Sequence, residues 1–272
     1  MSVPRLRAVN VCGLPAVLAC FRKRARAIKQ LWFSPELSKP LDALCEWMAG
    51  ERLPFARVDG RELARVARHD MHGGVVAFTT RPEPALVKYA DPSEWQAAGT
   101  PLVVLDDVGD PLQIGSIARV SVAMGVRRLL LAGRAVEAAY NERAWSTACG
   151  ALDELALNDA GELPPLLRGL GGHFCIVGFT RPGGRRVDDL KPIRVPGRPL
   201  VVVIGDSPGG VGGNVVGKCE HLLHIPGVAG SSLFNAADTV AFGLPWLLRK
   251  ERKPAGFLAK KRAREAVRSQ AA

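Results

Sequence analysis

Two apolar segments in the second half of the chain each run directly into a glycine-rich turn. Leu200–Ile204 contains only leucine, valine and isoleucine, and Gly205 follows it with four more glycines up to position 213. His221–Ile225 stops at Pro226 and leads into a second turn rich in glycine and serine. Such apolar runs are typical of strands buried in a parallel sheet. Because open α/β sheets bind ligands at the carboxyl ends of their strands, these turns are predicted to border a binding site.

A helix with a single charged side chain precedes these strands. It is predicted to begin at Asp110, and up to Arg127 its residues are mostly small or apolar except for Arg119. A guanidinium stays protonated and is costly to bury without a partner. Arg119 is therefore predicted either to form an ion pair, for example with Asp106 or Asp107, or to face a cleft where it would bind a phosphate.

Together the three segments resemble the SpoU (TrmH) family of RNA 2′-O-ribose methyltransferases, within the SPOUT class. The first family motif is similar to Gly115–Arg119, the second to the apolar strand with Gly205, and the third to Ile225-Pro226 together with Asn235. The resemblance covers about residues 101–250. It implies a small N-terminal α/β substrate-binding domain followed by a SPOUT α/β domain with a C-terminal trefoil knot.

The resemblance implies an S-adenosyl-L-methionine-dependent enzyme that methylates a ribose 2′-hydroxyl of ribosomal or transfer RNA. Arg119 and Asn235 inherit the catalytic roles, with Arg119 at the hydroxyl and its phosphate and Asn235 orienting the chain and the ribose. The small residues Gly115 and Ser116 are expected to let the RNA backbone come close to Arg119. Gln113 stands where the family usually has asparagine, and it would partly substitute for that residue.

Cofactor binding and a homodimer are also implied by the resemblance. Gly205, Ile225 and Phe234 correspond to the family's cofactor-binding turns, so a valine at Gly205 is expected to fill the space where the backbone approaches adenosine. The apolar helices 113–125 and 236–248 would form the surface of the homodimer.

Three departures from the family motifs support a second hypothesis. Asp206-Ser207-Pro208 replaces the usual Asn-Glu-Gly, and Leu233 replaces a serine of the third motif. Asn235-Ala236-Ala237 replaces a later Asn-Val-Ser, so polar groups near the reacting centre are lost. The alternative to an active enzyme is an inactive or weakened RNA-binding or ribosome-assembly protein with the same fold. A small-molecule enzyme of general α/β type would explain the sheet but neither the motif spacing nor the charge.

The positive charge of the chain is concentrated at its two ends. The net charge is +11, yet residues 1–34 carry seven basic side chains and no acidic one, and residues 249–272 carry nine basic and two acidic ones. Basic clusters bind nucleic-acid phosphates through counterion release, so RNA is the predicted partner. A solubilising role is the plainer interpretation of both ends. The C-terminal end is too short and too poor in large apolar residues to favour a membrane surface.

Composition excludes several other classes of protein. The six cysteines are scattered without a Cys-x-x-Cys pair, and the five histidines lie apart or at strand spacing, so neither a disulfide framework nor a metal site is predicted. Reduced thiols and the absence of a secretory pattern favour the cytoplasm. No apolar run approaches the length of a membrane span.

Proline and glycine punctuation predicts the domain boundaries. Residues 1–80 are predicted as a small α/β domain, 81–100 as a linker, 101–250 as a second α/β domain and 251–272 as a basic tail. The resemblance implies that the first domain binds the RNA substrate and that the second is the methyltransferase domain. Predicted helices cover 13–29, 39–48 and 61–68, with a turn of helix at 86–89. The predicted strands are 30–33, 55–58, 74–79, 102–105, 127–131, 174–179, 200–204 and 221–225.

Overall fold

The computed structural model describes most of the chain. The described residues are 8–80, 85–87, 92–180, 183–189, 193, 195–206, 210–226 and 234–248. The predicted basic tail 251–272, and Arg5 and Arg7 of the N-terminal cluster, lie outside these residues. Within them, no helix is both long and apolar enough to cross a bilayer.

The N-terminal part is a small α/β unit built on a mixed sheet. Its elements are β1 (Ala8–Cys12), α1 (Leu14–Arg24), β2 (Ile28–Phe33), α2 (Ser38–Gly50), β3 (Phe55–Arg57), α3 (Gly60–Ala67) and β4 (Val75–Thr80). The strand order is β1-β4-β2-β3, with β4 antiparallel to both of its neighbours and β3 parallel to β2. The chain therefore returns to its start at β4, beside β1.

The second part is a larger α/β unit whose strands pair in parallel throughout the described residues. Its elements are β5 (Ala85–Leu86), α4 (Pro92–Ala97), β6 (Leu102–Asp106), α5 (Pro111–Ala123), β7 (Arg128–Ala132), α6 (Arg134–Ala138), α7 (Glu142–Ala148), β8 (Ala156–Asp159), α8 (Leu163–Leu170), β9 (Cys175–Phe179), β10 (Arg185–Arg186), β11 (Leu200–Gly205), α9 (Gly213–Val216), β12 (His221–His224) and α10 (Ala236–Leu248).

The strand order of this sheet is β10-β12-β9-β11-β6-β7-β8-β5. Strand β6 lies between β7, the next strand along the chain, and β11, which comes much later. Such a reversal of strand order leaves a crevice at the carboxyl edge of the sheet. The predicted α/β fold class, a small N-terminal unit before a larger α/β unit, is confirmed. The trefoil knot stays a prediction, because residues 227–233 lie outside the described part of the chain.

The two units are docked through α1 and the segment that follows α7. Gly150 has φ +94°, and a Cβ atom there would lie 2.6 Å from the Cβ atom of Ala19 in α1. The side chain of Arg24 pairs with Asp153 and lies 4.7 Å from the ring centre of Trp145. One hydrophobic cluster contains buried residues of both units. The orientation of the small unit is thus fixed by buried contacts rather than only by the connecting chain.

The structure corrects two secondary-structure predictions. The helix predicted over 13–29 ends at Arg24, because Ile28–Phe33 pairs with β4 and with β3 in the small sheet. The turn of helix predicted at 86–89 is wrong at its start, where Leu86 pairs with Asp159 of β8. In both places sheet pairing overrides the local preference for helix. The segment 81–100, predicted as a linker, thus contributes a strand to the larger sheet and also contains α4.

Candidate functional site

The strands that lead into the two glycine-rich segments end at the same edge of the parallel sheet, its carboxyl edge. Gly205 ends β11 opposite Asp106 of β6, and Ile225 directly follows β12. One strand, β9, separates β11 from β12. At about 4.8 Å between neighbouring strands, the ends of β11 and β12 are therefore about 10 Å apart across this edge.

The segment after β11 crosses over the end of β9. Val211 donates its backbone N–H to the carbonyl of Phe179 at 3.0 Å, and Gly210 adopts φ +92° beside that carbonyl. A Cβ atom on Gly205 would lie 2.2 Å from the carbonyl oxygen of Gly210. The reason given for the effect of a valine at Gly205 is therefore corrected: the side chain would first collide with the chain's own backbone.

The acidic residues at the end of β6 hold neighbouring loops. An Asp106 carboxylate oxygen accepts the backbone N–H of Gly212 at 2.7 Å and so fixes the crossing segment. Asp107 pairs with Arg134 at 2.8 Å, and hydrogen bonds from Arg134 lower the pKa of that carboxyl. The alternative that either carboxylate pairs with Arg119 is thereby ruled out. This role of Asp106 was not predicted, because an acidic residue after an apolar strand gives no indication of a hydrogen-bond partner 106 residues later in the chain.

A buried hydroxyl lies at the same edge without a partner. Thr180 follows β9, and among the described residues its Oγ1 atom is buried and forms no hydrogen bond. The neighbouring β10 brings two exposed arginines beside β12, and Arg186 pairs with Asp188 at 2.8 Å. Thr180 forms an isolated β-bridge with Gly210, so its hydroxyl lies beside that glycine.

Asn235 and Gln113 hold the start of α10. The Asn235 side-chain oxygen accepts the N–H of Asp238 at 2.9 Å, and the Asp238 carboxylate accepts the N–H of Asn235 at 3.1 Å, which is a reciprocal helix cap. Gln113 at the start of α5 accepts the N–H of Ala236 at 3.0 Å. The predicted catalytic Asn235 thus has a structural role, while its exposed amide N–H groups form no hydrogen bond with any described residue.

Substitutions at Asn235 separate capping from catalysis. Aspartate and serine cap a helix about as well as asparagine, whereas alanine costs about 1 kcal/mol of stability. We expect Asn235→Asp and Asn235→Ser to keep the melting temperature within one or two degrees and yet lose methyl transfer, because neither supplies the amide donor. Thermal unfolding with a methyl-transfer assay measures both effects. Full activity in both variants would leave Asn235 with the cap as its only role.

Arg119 lies on a cleft between the two units. It is exposed, and among the described residues it forms no hydrogen bond and no ion pair. The cleft has a volume of about 480 Å³ and is lined by α1, α5 and the segment after α7. Of the two predicted positions of Arg119, an ion pair or a side chain that faces a cleft, the structure favours the second. The predicted approach of the RNA backbone beside Gly115 is wrong. A Cβ atom on Gly115 would lie 2.6 Å from the carbonyl oxygen of Ala144, so the space beside this glycine is already occupied by α7.

The predicted site residues thus fall into two groups. Gly205 and Ile225 lie at the sheet edge, and Phe234 precedes α10 with its ring 5.4 Å from that of Phe242. Arg119 lies six residues along α5 from Gln113, a rise of about 9 Å. No group of three or more potential metal ligands occurs within the described ranges.

Comparison with known proteins extends these observations. The family model described as "SpoU rRNA Methylase family" matches residues 100–244, and the one described as "RNA 2'-O ribose methyltransferase substrate binding" matches residues 10–85. A relative named as an uncharacterized tRNA/rRNA methyltransferase of Mycobacterium tuberculosis is 29% identical over 252 residues, which cover 90% of this chain and 75% of the relative. A relative of the same name from Mycobacterium marinum is 28% identical over 250 residues, covering 89% and 77%.

Two solved structures have the same fold. An rRNA methyltransferase from Sinorhizobium meliloti superposes with a TM-score of 0.68 at 17% identity, covering 89% of this chain and 87% of that one. The SpoU methyltransferase AviRb from Streptomyces viridochromogenes, solved with the cofactor AdoMet, superposes with a TM-score of 0.66 at 18% identity, covering 89% of each chain. At these identities the likeness concerns the fold alone.

Proposed function

Because the chain belongs to the SpoU rRNA Methylase family, we propose that it transfers a methyl group from S-adenosylmethionine to a ribose 2′-hydroxyl of ribosomal or transfer RNA. The observation that carries the proposal is the order of the two family matches along one chain, residues 10–85 and then 100–244. Arg119 lies in the cleft between the two units and has no partner in the described part of the chain, which agrees with an anionic substrate that touches both units.

S-adenosylmethionine is proposed to bind at the carboxyl edge, between Gly205, Ile225 and Phe234. The residues present fit such a group: Ile225 and Phe234 are half-buried apolar side chains, and the buried Thr180 hydroxyl has no partner among the described residues. When bound, the cofactor supplies an electrophilic methyl group. AviRb, named as a SpoU methyltransferase and solved with AdoMet, supports this choice.

The two proposed catalytic side chains would act on the RNA. Arg119 would bind the phosphate next to the reacting ribose and stabilise the negative charge that develops on the hydroxyl oxygen. An arginine cannot accept the proton of that hydroxyl, because its guanidinium remains protonated, so the proton would pass to solvent as the methyl group is transferred. Asn235 would donate an amide N–H to the ribose, and the cap it forms with Asp238 would hold that amide in place.

We also propose a homodimer through the surfaces of α5 and α10. The two helices meet within one chain through Gln113 and Ala236. Each exposes a large apolar side chain, Leu112 at 48% and Phe242 at 58%. Exposed apolar groups on adjoining helices are typical of a protein contact. Sedimentation velocity tests the proposal, and a monomer at all working concentrations would contradict it.

The decisive experiment transfers labelled methyl groups to RNA and identifies the product. Purified protein is incubated with labelled S-adenosylmethionine and total RNA from a strain lacking the gene, and the RNA is digested to nucleosides. We expect the label in a 2′-O-methylated nucleoside of one RNA species. Label on a base would retain the methyltransferase and refute the ribose as acceptor. RNA binding without any transfer would favour the inactive RNA-binding protein, which the lost glutamate at Ser207 supports.

A further inference from the structure

Two of the helices that line the cleft between the two units each carry a cation. Arg22 projects from the last turn of α1 in the small unit, and Arg119 projects from α5 in the larger one. Both are exposed, and neither forms a hydrogen bond or ion pair with any described residue. Pro15 and Leu18 of α1 and Val122 of α5 complete an apolar lining between them.

Among the described residues that line the cleft, the one acid is already paired with a lysine. Glu154 pairs with Lys23 at 2.8 Å, so it leaves the charges of Arg22 and Arg119 uncompensated. Two like charges on a shared cleft of about 480 Å³ repel one another, and an anion between them removes that repulsion. The local charge therefore fits a chain of phosphates, and the apolar lining fits the sugars between them.

The wall that carries Arg22 is held in a fixed position. Arg24, two residues further along α1, pairs with the fully buried Asp153 side chain, and Gly150 allows α1 to approach within contact distance. The backbone that carries Arg22 is thus held in place before any ligand enters, which lowers the entropy lost on binding.

From this geometry we propose that the RNA backbone passes through the cleft between the two units, and that Arg22 of α1 and Arg119 of α5 bind its phosphates. The inference deepens the proposed function and rests on RNA as its substrate. Arg22 is a residue that positions the substrate, and it extends the site beyond the methyltransferase unit.

Cys149 provides a native probe of the cleft. It lines the cleft and is exposed, whereas the other five cysteines are buried or half-buried. The full-length protein is treated with a maleimide, with and without unfractionated tRNA or protein-free rRNA, and modification at each cysteine is measured by mass spectrometry. We expect saturating RNA to slow modification of Cys149 several-fold and to leave Cys45 unchanged. Protection that rises with protein concentration without RNA would instead place a second copy of the chain in the cleft and overturn the proposal.

A matched pair of variants tests Arg22 itself. Arg22→Gln removes the cation on the cleft, and Arg61→Gln removes an exposed arginine of the same unit that does not line it. We expect Arg22→Gln to weaken RNA binding about tenfold and to reduce the salt slope by about 0.7 to 0.9, with a smaller change for Arg61→Gln. In methyl-transfer assays, Arg22→Gln is expected to raise KM for RNA and to leave kcat unchanged.

The outcomes separate this inference from the proposed function. The protein could bind RNA and transfer methyl groups while both variants have equal effects and Cys149 is not protected. That result would refute RNA binding in the cleft and retain the proposed methyltransferase. Absence of any RNA binding would overturn both. Unchanged affinity for S-adenosylmethionine in Arg22→Gln, measured by calorimetry, verifies that the larger unit is intact.

Discussion

Replacement of Arg119 by alanine is expected to lower the rate of methyl transfer by about 100- to 1,000-fold, as when one donor that stabilises developing charge is removed from an active site. Arg119 is exposed and unpaired among the described residues, so the free energy of unfolding should change by no more than about 0.5 kcal/mol. Single-turnover methyl transfer with excess enzyme, together with thermal unfolding, measures the two quantities on the same preparation.

The lysine variant and a neighbouring arginine are the controls. Arg119→Lys keeps the charge but not the planar fork that binds two phosphate oxygens, so only partial rescue is expected. Arg143, an exposed arginine of α7 that does not line the cleft, should tolerate alanine with near-normal activity. If Arg119→Ala melts several degrees earlier and loses activity only in proportion to its unfolded fraction, Arg119 is structural, and the RNA-binding protein without catalysis becomes the better hypothesis.

The central strands could be predicted because parallel strands buried on both faces need continuous apolar runs. Leu200–Ile204 and the segments predicted near 102, 127 and 174 are such runs, and the structure pairs them in one sheet. Strand β8 was missed for the same reason, since its sequence Ala-Leu-Asn-Asp is half polar. Its Asn158 is buried because Arg128 of the neighbouring β7 donates a hydrogen bond to it, a compensation that no local pattern reveals.

The N-terminal basic cluster shows where reasoning from charge alone fails. The cluster as a whole was predicted to bind RNA, but Lys23 and Arg24 pair with Glu154 and Asp153 of the other unit. These two cations therefore contribute to docking of the two units. Arg22, next to them in the sequence, faces the cleft instead. Which cation docks the domain and which stays free is decided by a surface formed about 130 residues later in the chain.

The candidate site divides in the same way. Gly205 and Ile225 could be located from sequence, because the end of a predicted strand specifies the sheet edge. The surroundings of Arg119 could not be predicted, since part of the cleft lining comes from α1 of the small unit. The cap formed by Asn235 had a sequence signal in Asp238, three residues later, which is the spacing of a capping box.

The second large effect is expected at the buried ion pair that docks the two units. In Asp153→Ala, Arg24 would remain largely buried against Trp145 without its partner, since its side chain is only 16% exposed. Breaking a buried pair in this way costs about 3 to 5 kcal/mol. The adjacent Glu154 joins the same units through the more exposed Lys23, so Glu154→Ala should cost at most about 1 kcal/mol. Denaturant unfolding of the two variants gives the comparison.

Removal of one partner of the Arg24–Asp153 pair should lower the free energy of unfolding more than replacement of both partners. Burial raises the pKa of the Asp153 carboxyl although Arg24 opposes the rise, so desolvation outweighs the attraction between the two charges. Replacing both partners, as in Arg24→Met with Asp153→Leu, is therefore expected to recover much of the stability lost in Asp153→Ala. Equal losses in the double and single variants would mean that shape rather than charge docks the units. Because Gly205 and Ile225 of the proposed cofactor site follow strands of the larger sheet, Asp153→Ala should bind S-adenosylmethionine normally where it remains folded. It should lose RNA affinity as the wall carrying Arg22 moves away.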